Sequence, residues 1–219
     1  MAPNEEQREW YAMGSGAAGY AWKAEDKVAA YLDDQERPEQ AAEIRAAHDC
    51  MLDQLGLERD RAFSFLDLGA GAGAVAISVM ERFPYASGVL ADMSLPMMQS
   101  GESRLAPFAG RYRYIEYDMN AEWPPELAGP FQAVVSARAI HHLPDPGKGE
   151  VFARIYRALA PGGTFVNWDL FRPTEEPQKP SHPVATIGAQ VELMKQAGFS
   201  SVSVLHEVGR RRVFLGRKG

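Results

Sequence analysis

Short apolar runs alternate with helix-like segments through the middle of the chain. The central ones have the near-continuous apolar composition of strands that are buried on both faces, and five runs in all are predicted strands. They are residues Phe63 to Leu68, Ala86 to Ala91, Arg111 to Tyr117, Phe131 to Val135 and Thr164 to Trp168. Helical patterns between the runs are predicted to begin near Gly73, Ser94, Pro125 and Lys148. This alternation predicts repeated strand-helix units around a parallel sheet, which is an α/β architecture.

The two ends of the chain depart from this alternation. Residues 24–55 carry apolar side chains at helical spacing, with Pro38 as an interruption and Gly56 as a stop signal. Near the other end, a predicted helix over 185–197 precedes two alternating runs, 201–206 and 211–215, that are typical of a β-hairpin. We therefore predict a doubly wound, mostly parallel sheet of seven strands with a C-terminal antiparallel hairpin at one edge. Residues 1–60 are expected to form a helical extension and residues 61–219 the main domain.

The composition narrows the range of functions. A formal net charge of −6 argues against broad nucleic-acid binding, which depends on lysine and arginine. No apolar run approaches the roughly 18 residues that a membrane span needs, and the N-terminus has no apolar signal region. The single cysteine, Cys50, excludes an internal disulfide. We expect a cytoplasmic monomer or homodimer that acts on a small molecule, with no nucleic-acid or membrane partner and with Arg210–Arg212 on the hairpin turn and its solvent face.

A glycine-rich loop follows the first predicted strand and opens a helix. The segment Gly69–Ala74 satisfies the pattern G-x-G-x-x-[G/A], in which glycines let a ligand approach the backbone and the helix N-terminus offers free N–H groups. Asp92, about twenty residues further on, is placed to bind ribose hydroxyls. Both features suit a nicotinamide dehydrogenase as well as a methyltransferase.

Asp67 separates these two interpretations. A carboxylate at the mouth of the loop would repel a pyrophosphate, whereas it would attract a ligand that carries an ammonium and a sulfonium. S-adenosylmethionine has both cations and no phosphate. In the alternative interpretation Asp67 only accepts hydrogen bonds from loop amides, and the two roles are compatible.

Several further segments follow the loop in a fixed order. In one-letter code, the set comprises FLDLGAGAG (65–73), VLADMS (89–94), IEYDM (115–119), FQAVVS (131–136) with HHL (141–143), and LAPGGTF (159–165). Together these segments resemble the successive motifs of class I, Rossmann-like S-adenosylmethionine-dependent methyltransferases. The resemblance covers roughly Phe63 to Trp168.

The resemblance implies S-adenosylmethionine as cofactor and S-adenosylhomocysteine as product. The residues implied at the cofactor are Asp67, Gly69, Ala70, Gly71, Gly73, Asp92, Met93, Asp118, Met119, Ser136 and Tyr20. In this assignment Asp67 and the loop backbone hold the methionine moiety, and Asp92 holds the ribose. Met93 covers one adenine face, unless it serves only as core packing, and Asp118 with the Met119 amide meets the adenine edge.

The segment after the fourth strand carries the chain's adjacent histidines, His141 and His142. An imidazole with a near-neutral pKa can act as a general base, so His141 is the candidate catalytic residue. The alternative is that these histidines only bond the loop and fix the start of the next helix. No i, i+4 His/Glu pattern accompanies them, so no metal site is predicted. The segment Ser136–Ala139 lacks the Asn/Asp-Pro-Pro-aromatic turn of amino-group methylases of adenine or glutamine, and Cys50 is too early for cytosine C5 chemistry.

The cover of the active site is expected to come from the N-terminal segment. The aromatic residues Trp10, Tyr11, Tyr20 and Trp22 surround a glycine-bearing stretch, which suits a hinged lid, although the same aromatics also suit helix packing. We predict methyl transfer to an O, N or C nucleophile of a small molecule. The alternatives are an enzyme similar to carboxyl-S-adenosylmethionine synthase and a non-catalytic regulatory subunit, and Arg138 or Arg172 near the site would favour an anionic substrate or modified cofactor.

Overall fold

Seven strands form one twisted sheet with the order β3-β2-β1-β4-β5-β7-β6. The computed structural model describes residues 22, 24–177 and 183–219. The strands are β1 (Phe63–Leu68), β2 (Ala86–Asp92), β3 (Tyr112–Glu116), β4 (Phe131–Ala137), β5 (Leu159–Leu170), β6 (Ser201–Val208) and β7 (Arg211–Arg217). The first five strands pair in parallel, and β7 pairs antiparallel with both β5 and β6. The predicted Rossmann-like sheet, with its C-terminal antiparallel hairpin at one edge, is confirmed.

Helices cover both faces of the sheet. They are α1 (Glu25–Glu36), α2 (Pro38–Asp53), α3 (Ala74–Arg82), α4 (Leu95–Leu105), α5 (Asp145–Ala158) and α6 (Ile187–Gln196). The core on one face combines apolar residues of α2 and α3 with the sheet, and the core on the other face uses α5 and α6. Met51 of α2 has no exposed surface, so this helix of the N-terminal extension packs within the main core.

Two local expectations about the elements are corrected. The helix predicted near Pro125 is only a 3-10 turn, Pro125–Leu127, because Pro124, Pro125 and Pro130 leave too few residues with free backbone N–H groups and helical freedom. Strand β5 begins at Leu159 rather than Thr164. The Pro161-Gly162-Gly163 turn is a bulge within β5, opposite Gln132, as the register with β4 shows.

The basic run at the hairpin is neutralised by acidic side chains. Arg210 lies exposed at the turn and pairs with Glu176, as predicted for a solvent-facing position. Arg211 and Arg212 are half-buried on β7, and Arg211 pairs with Glu43 of α2 at 2.7 Å. Among the described residues, no helix has the length and apolar character required to cross a membrane.

Candidate active site

A cavity opens where the parallel strands end, at the position where β1 lies between β2 and β4. This is the place at which doubly wound sheets bind ligands, because the chain turns to opposite faces of the sheet on either side of it. Many of the predicted cofactor residues line the cavity. They are Gly69, Ala70, Gly71, Asp92, Met93, Asp118 and Met119.

The glycine loop turns sharply from β1 into α3. Gly69, Gly71 and Gly73 all have positive φ values, of 77°, 52° and 79°, which side-chain-bearing residues rarely adopt. A Cβ atom added to Gly69 would lie 2.3 Å from the Cβ of Ala139 and 2.9 Å from the Cε of Met119. The loop therefore requires glycine at position 69 for both conformation and space.

Asp92, the last residue of β2, supports this loop. Its Oδ2 accepts a hydrogen bond from the Gly71 amide at 2.7 Å, and its Oδ1 accepts one from the Ser94 amide at 2.8 Å. Burial raises the pKa of the Asp92 carboxyl, while these amides and that of Met93 act in the opposite direction. Each carboxylate oxygen has a second lone pair, so Asp92 can also accept hydrogen bonds from two ligand hydroxyls.

Asp67 lies behind the loop and does not line the cavity. It has no exposed surface, and its Oδ2 accepts a hydrogen bond from the Ala76 amide in the first turn of α3 at 3.0 Å. Its Oδ1 is enclosed without a hydrogen-bond partner in the part of the chain that the structure describes. Burial raises the pKa of Asp67 to about 7, against the lowering effect of the Ala76 amide. The amide contact matches the alternative role considered for Asp67, and its contact with a cofactor stays a prediction.

Asp118 follows β3 and forms a turn with Asn120. Its Oδ1 accepts hydrogen bonds from the backbone and side-chain nitrogens of Asn120, each at 2.9 Å. Oδ2 makes no hydrogen bond within the described residues and remains available for a donor such as an exocyclic amino group. Met93 and Met119, which also line the cavity, offer polarizable surfaces to a ring.

Besides Asp67, two of the predicted cofactor residues that the structure describes do not line the cavity. Gly73 precedes α3 as its N-cap and does not line the cavity. Ser136 is buried, and its hydroxyl donates a hydrogen bond to the Leu68 carbonyl at 2.7 Å, which ties β4 to β1. Tyr20 lies outside the described residues, as do Trp10 and Tyr11 of the expected lid.

The two adjacent histidines have different positions. His141 is buried, and its Nδ1 and backbone amide both bond the carboxylate of Asp169. His142 lines the cavity, and the two imidazole centroids are 4.0 Å apart. Burial alone would raise the pKa of the Asp169 carboxyl, but the charge and hydrogen bond of His141 outweigh it and hold that pKa below its usual range.

The remaining wall of the cavity comes from α1 and its neighbours. This wall includes six residues, which are Trp22, Tyr31, Leu32, Gln35, His48 and Arg138. The Trp22 ring lies edge-on to Tyr31, with centroids 4.9 Å apart, and 5.9 Å from His142. Burial, with a smaller effect of the Arg138 charge, lowers the pKa of His48 to about 4 and keeps its ring neutral.

Three residues of the cavity wall, Tyr31, Gln35 and His48, were not predicted from the sequence to lie at the site. Tyr31 was predicted only as part of the apolar face of a helix, and no motif marks Gln35 or His48. Trp22 and Arg138 were candidates for the site, and both line the cavity. Across the described residues, no group of three or more potential metal ligands is assembled in space.

Comparison with known proteins agrees with this geometry. Residues 65–163 match a family described as "Methyltransferase domain". The chain is 29% identical to the N,N-dimethyltransferase OxyT of Streptomyces rimosus over 73% of its own length and 47% of the relative's. It is 35% identical to an uncharacterized methyltransferase of Mycobacterium tuberculosis over 45% of its own length and 46% of the relative's. The chain thus spans about half the length of the curated relatives it matches.

Solved structures show the same fold. Human N-acetylserotonin methyltransferase, in complex with S-adenosylmethionine, superposes with a TM-score of 0.66 at 18% identity, covering 90% of this chain and 57% of the human one. The sheet order and the glycine loop are those of a Rossmann-like fold, and residues 65–163 match a methyltransferase domain. Residues 65–163 therefore resemble the domain of S-adenosylmethionine-dependent methyltransferases, whose fold the chain shares.

Proposed function

We propose that this protein transfers the methyl group of S-adenosylmethionine to an O, N or C nucleophile of a small molecule. The observation that carries the proposal is the placement of three carboxylates, Asp67, Asp92 and Asp118, around one glycine loop. This arrangement suits a ligand that carries cations and hydroxyls, and it opposes the phosphates of a nicotinamide dinucleotide.

The carboxylates of the cavity, together with Asp67 behind the glycine loop, would each hold one part of the cofactor. The enclosed Oδ1 of Asp67 lacks a donor among the described residues, and an ammonium-bearing ligand beside the loop would compensate its charge. Asp92 would accept the ribose hydroxyls, and Asp118 the adenine amino group. When bound, S-adenosylmethionine supplies a methyl carbon that its sulfonium already activates.

The protein's own contribution is then to align an acceptor and exclude water. Both tasks raise the rate of a displacement reaction without a general acid. The cavity wall formed by Trp22, Tyr31 and His142 faces the space beyond the loop and is apolar and aromatic in character. Such a wall orients a small acceptor by packing.

A general base is proposed at His141. Its Nδ1–H donates to Asp169, so its Nε2 is the nitrogen that would take a proton from the acceptor. Asp169 also stabilises the imidazolium that results, because the carboxylate is buried and ionised beside it. His142 lines the cavity with its ring centroid 4.0 Å from that of His141, and it would pass the proton if the acceptor does not reach His141.

Isothermal titration with S-adenosylmethionine, S-adenosylhomocysteine and NADH tests the cofactor. We expect binding of the first two and none of NADH, and Asp92→Ala should weaken the binding of S-adenosylhomocysteine by about 1.5 to 3 kcal/mol because a charged acceptor is lost. An exposed carboxylate far from the cavity provides the control, Asp60→Ala, which should leave the affinity unchanged. Tight NADH binding without a response to S-adenosylhomocysteine would overturn the proposal.

The proposed function includes a cellular location. We place the protein in the cytoplasm, since a chain with Cys50 alone forms no internal disulfide and gains nothing from an oxidising compartment. Fractionation of cells that produce the protein would check this location.

A further inference from the structure

Arg138 occupies a strained position at the edge of the cavity. It follows directly after β4 and has a φ of 53°, in the left-handed region that a long side chain adopts only at a cost. The only other described non-glycine residue with positive φ is His206, in the C-terminal hairpin. Strain of this kind persists where the surrounding structure requires the residue in that place.

Aromatic rings hold the guanidinium of Arg138. Its Cζ lies 5.4 Å from the centroid of Tyr31 and 5.2 Å from that of Trp168, and its Nη2 donates a hydrogen bond to Oε1 of Gln35 at 2.6 Å. These contacts fix the plane and the direction of the guanidinium. The side chain is therefore already ordered before any ligand arrives.

The positive charge of Arg138 has no carboxylate partner in the described part of the chain. The nearby Arg211 also approaches the Trp168 ring, at 5.9 Å, but it pairs with Glu43 at 2.7 Å. Arg138 makes no such ion pair, and its Nε is enclosed without a hydrogen-bond acceptor among the described residues. An arginine keeps its charge when buried, and the carboxylates of Asp169 and Glu43 act on Arg138 only from beyond ion-pair distance, so its charge has no direct partner among the described residues.

The Tyr31 hydroxyl adds a second unused polar group at the same place. Tyr31 lines the cavity beside Arg138, and its hydroxyl makes no hydrogen bond to any described residue. A guanidinium and a phenol that share one wall can together donate hydrogen bonds to one oxyanion.

The sheet order places this pair on the acceptor side of the cavity. Asp92 and Asp118 follow β2 and β3, which lie on one side of β1, whereas Arg138 follows β4 on the other side. A ligand whose adenosine lies against Asp92 and Asp118 would extend across the glycine loop toward β4. The space next to Arg138 is then left for the acceptor.

We propose that Arg138 and Tyr31 form a carboxylate-binding subsite, so that the methyl acceptors are small aromatic carboxylic acids. The aromatic part of such an acceptor would pack on Trp22, which lies edge-on to Tyr31 and His142. This inference rests on the proposed function, because it assumes that the cofactor occupies the other side of the cavity.

Matched acids and amides test the subsite. Protein saturated with S-adenosylhomocysteine is titrated calorimetrically with 4-hydroxybenzoate and indole-3-acetate and with the neutral amide of each acid. We expect each acid to bind at least about tenfold more tightly than its amide, because only the acid gains a charge-assisted hydrogen bond. Arg138→Gln should remove this preference, and Arg138→Lys should restore part of it, since lysine keeps the charge but not the planar fork.

Two controls make the result specific. Arg61→Gln removes an exposed arginine that pairs with Glu58 outside the cavity, and it should leave the preference for acids intact. The affinity of every variant for S-adenosylhomocysteine is measured alongside, and we expect it to change by less than about twofold.

Three results would overturn the subsite while leaving the proposed function in place. They are equal binding of acids and amides by the wild-type protein, no binding of either acid up to about 10 mM, and an unchanged preference in a folded Arg138→Gln variant. If Arg138→Gln fails to fold, the comparison of acids with amides on the wild-type protein still decides. Failure of the wild-type protein to bind S-adenosylhomocysteine would instead contradict the proposed function.

Discussion

At the scale of single residues, carboxylates lie at one side of the cavity and a cation lies at the other. Asp67, Asp92 and Asp118 surround the glycine loop, and Arg138 follows β4. Burial makes the charges of Asp67, Asp92 and Arg138 costly in the free protein, and ligands of opposite charge would relieve that cost. Under the proposed function, the separation of these charges by β1 would give the cavity a cofactor end and an acceptor end.

The affinity for S-adenosylhomocysteine should depend on pH through Asp67. Burial raises the pKa of Asp67 to about 7 in the free protein, and the cationic amino group of the ligand favours the ionised form. The carboxyl therefore takes up a proton as pH falls through about 7, and the affinity should fall by up to about tenfold per pH unit between pH 7 and pH 5. Calorimetric titration across this interval measures the slope.

The variant Asp67→Asn removes the titrating group and should make the affinity nearly independent of pH in the same interval. Asp60→Asn, at an exposed position, should keep the wild-type slope. The free energy of unfolding of the free protein should change with pH in the opposite direction to the affinity. The raised pKa of Asp67 stabilises the fold below about pH 4, and this contribution is lost as pH rises through about 7. An affinity that stays constant with pH in the wild-type protein would remove Asp67 from cofactor binding.

Sequence position was enough to place some site residues and not others. Asp92, Met93 and Asp118 come directly after strands, and the ends of parallel strands meet at one edge of the sheet, so their approach to the cavity was predictable. Tyr31 and His48 belong to helices that reach the cavity only through tertiary packing, and helical spacing alone does not show which ligand or core a side chain faces. For the same reason the sequence did not separate the buried His141 from the cavity-lining His142.

At the scale of elements, α1 differs from the helices of the core. Val28 is its only buried residue, whereas α2 buries Ala47, His48, Met51 and Leu52. The helix α1 is thus held by few apolar contacts, yet it supplies Tyr31, Leu32 and Gln35 to the cavity wall. An element of this kind opens at lower free energy than the core and responds to whatever fills the cavity.

Hydrogen exchange followed by mass spectrometry tests this difference. Amides of α1 should exchange at least about a hundredfold faster than those of β1 in the free protein, because so little apolar surface holds the helix. Saturation with S-adenosylhomocysteine together with 4-hydroxybenzoate should slow exchange in α1, with α2 as the internal reference. Exchange in α1 as slow as in β1 before ligand is added would contradict this account.

Strands that are buried on both faces were easier to predict than the elements that contain prolines or bulges. Strands β1 and β2 were predicted within one residue because they are buried on both faces and bounded by turn signals. The helix expected near Pro125 was wrong, since three prolines within 124–130 outweigh the spacing of the apolar residues. The start of β5 was missed because a bulge at Pro161–Gly163 resembles a turn between elements.

At the scale of the whole molecule, one sheet positions both ends of the cavity. The order β3-β2-β1-β4-β5 brings the loop after β1 between the carboxylates that follow β2 and β3 and the cation that follows β4. The antiparallel strands β7 and β6 extend the sheet beyond β5, and Arg211 on β7 pairs with Glu43 on α2. The cavity thus depends on contacts between distant parts of the chain.

A crystal structure of the protein with S-adenosylhomocysteine tests the central claim most directly. We predict that the ribose hydroxyls donate to Asp92, that the adenine lies between Met93 and the Asp118 turn, and that the sulfur points across the glycine loop toward Arg138. Hydrogen-bond distances of about 2.5 to 3.0 Å between the ribose oxygens and the Asp92 carboxylate would support the account. Density for S-adenosylhomocysteine elsewhere on the protein, with the cavity beside Asp92 empty, would contradict it.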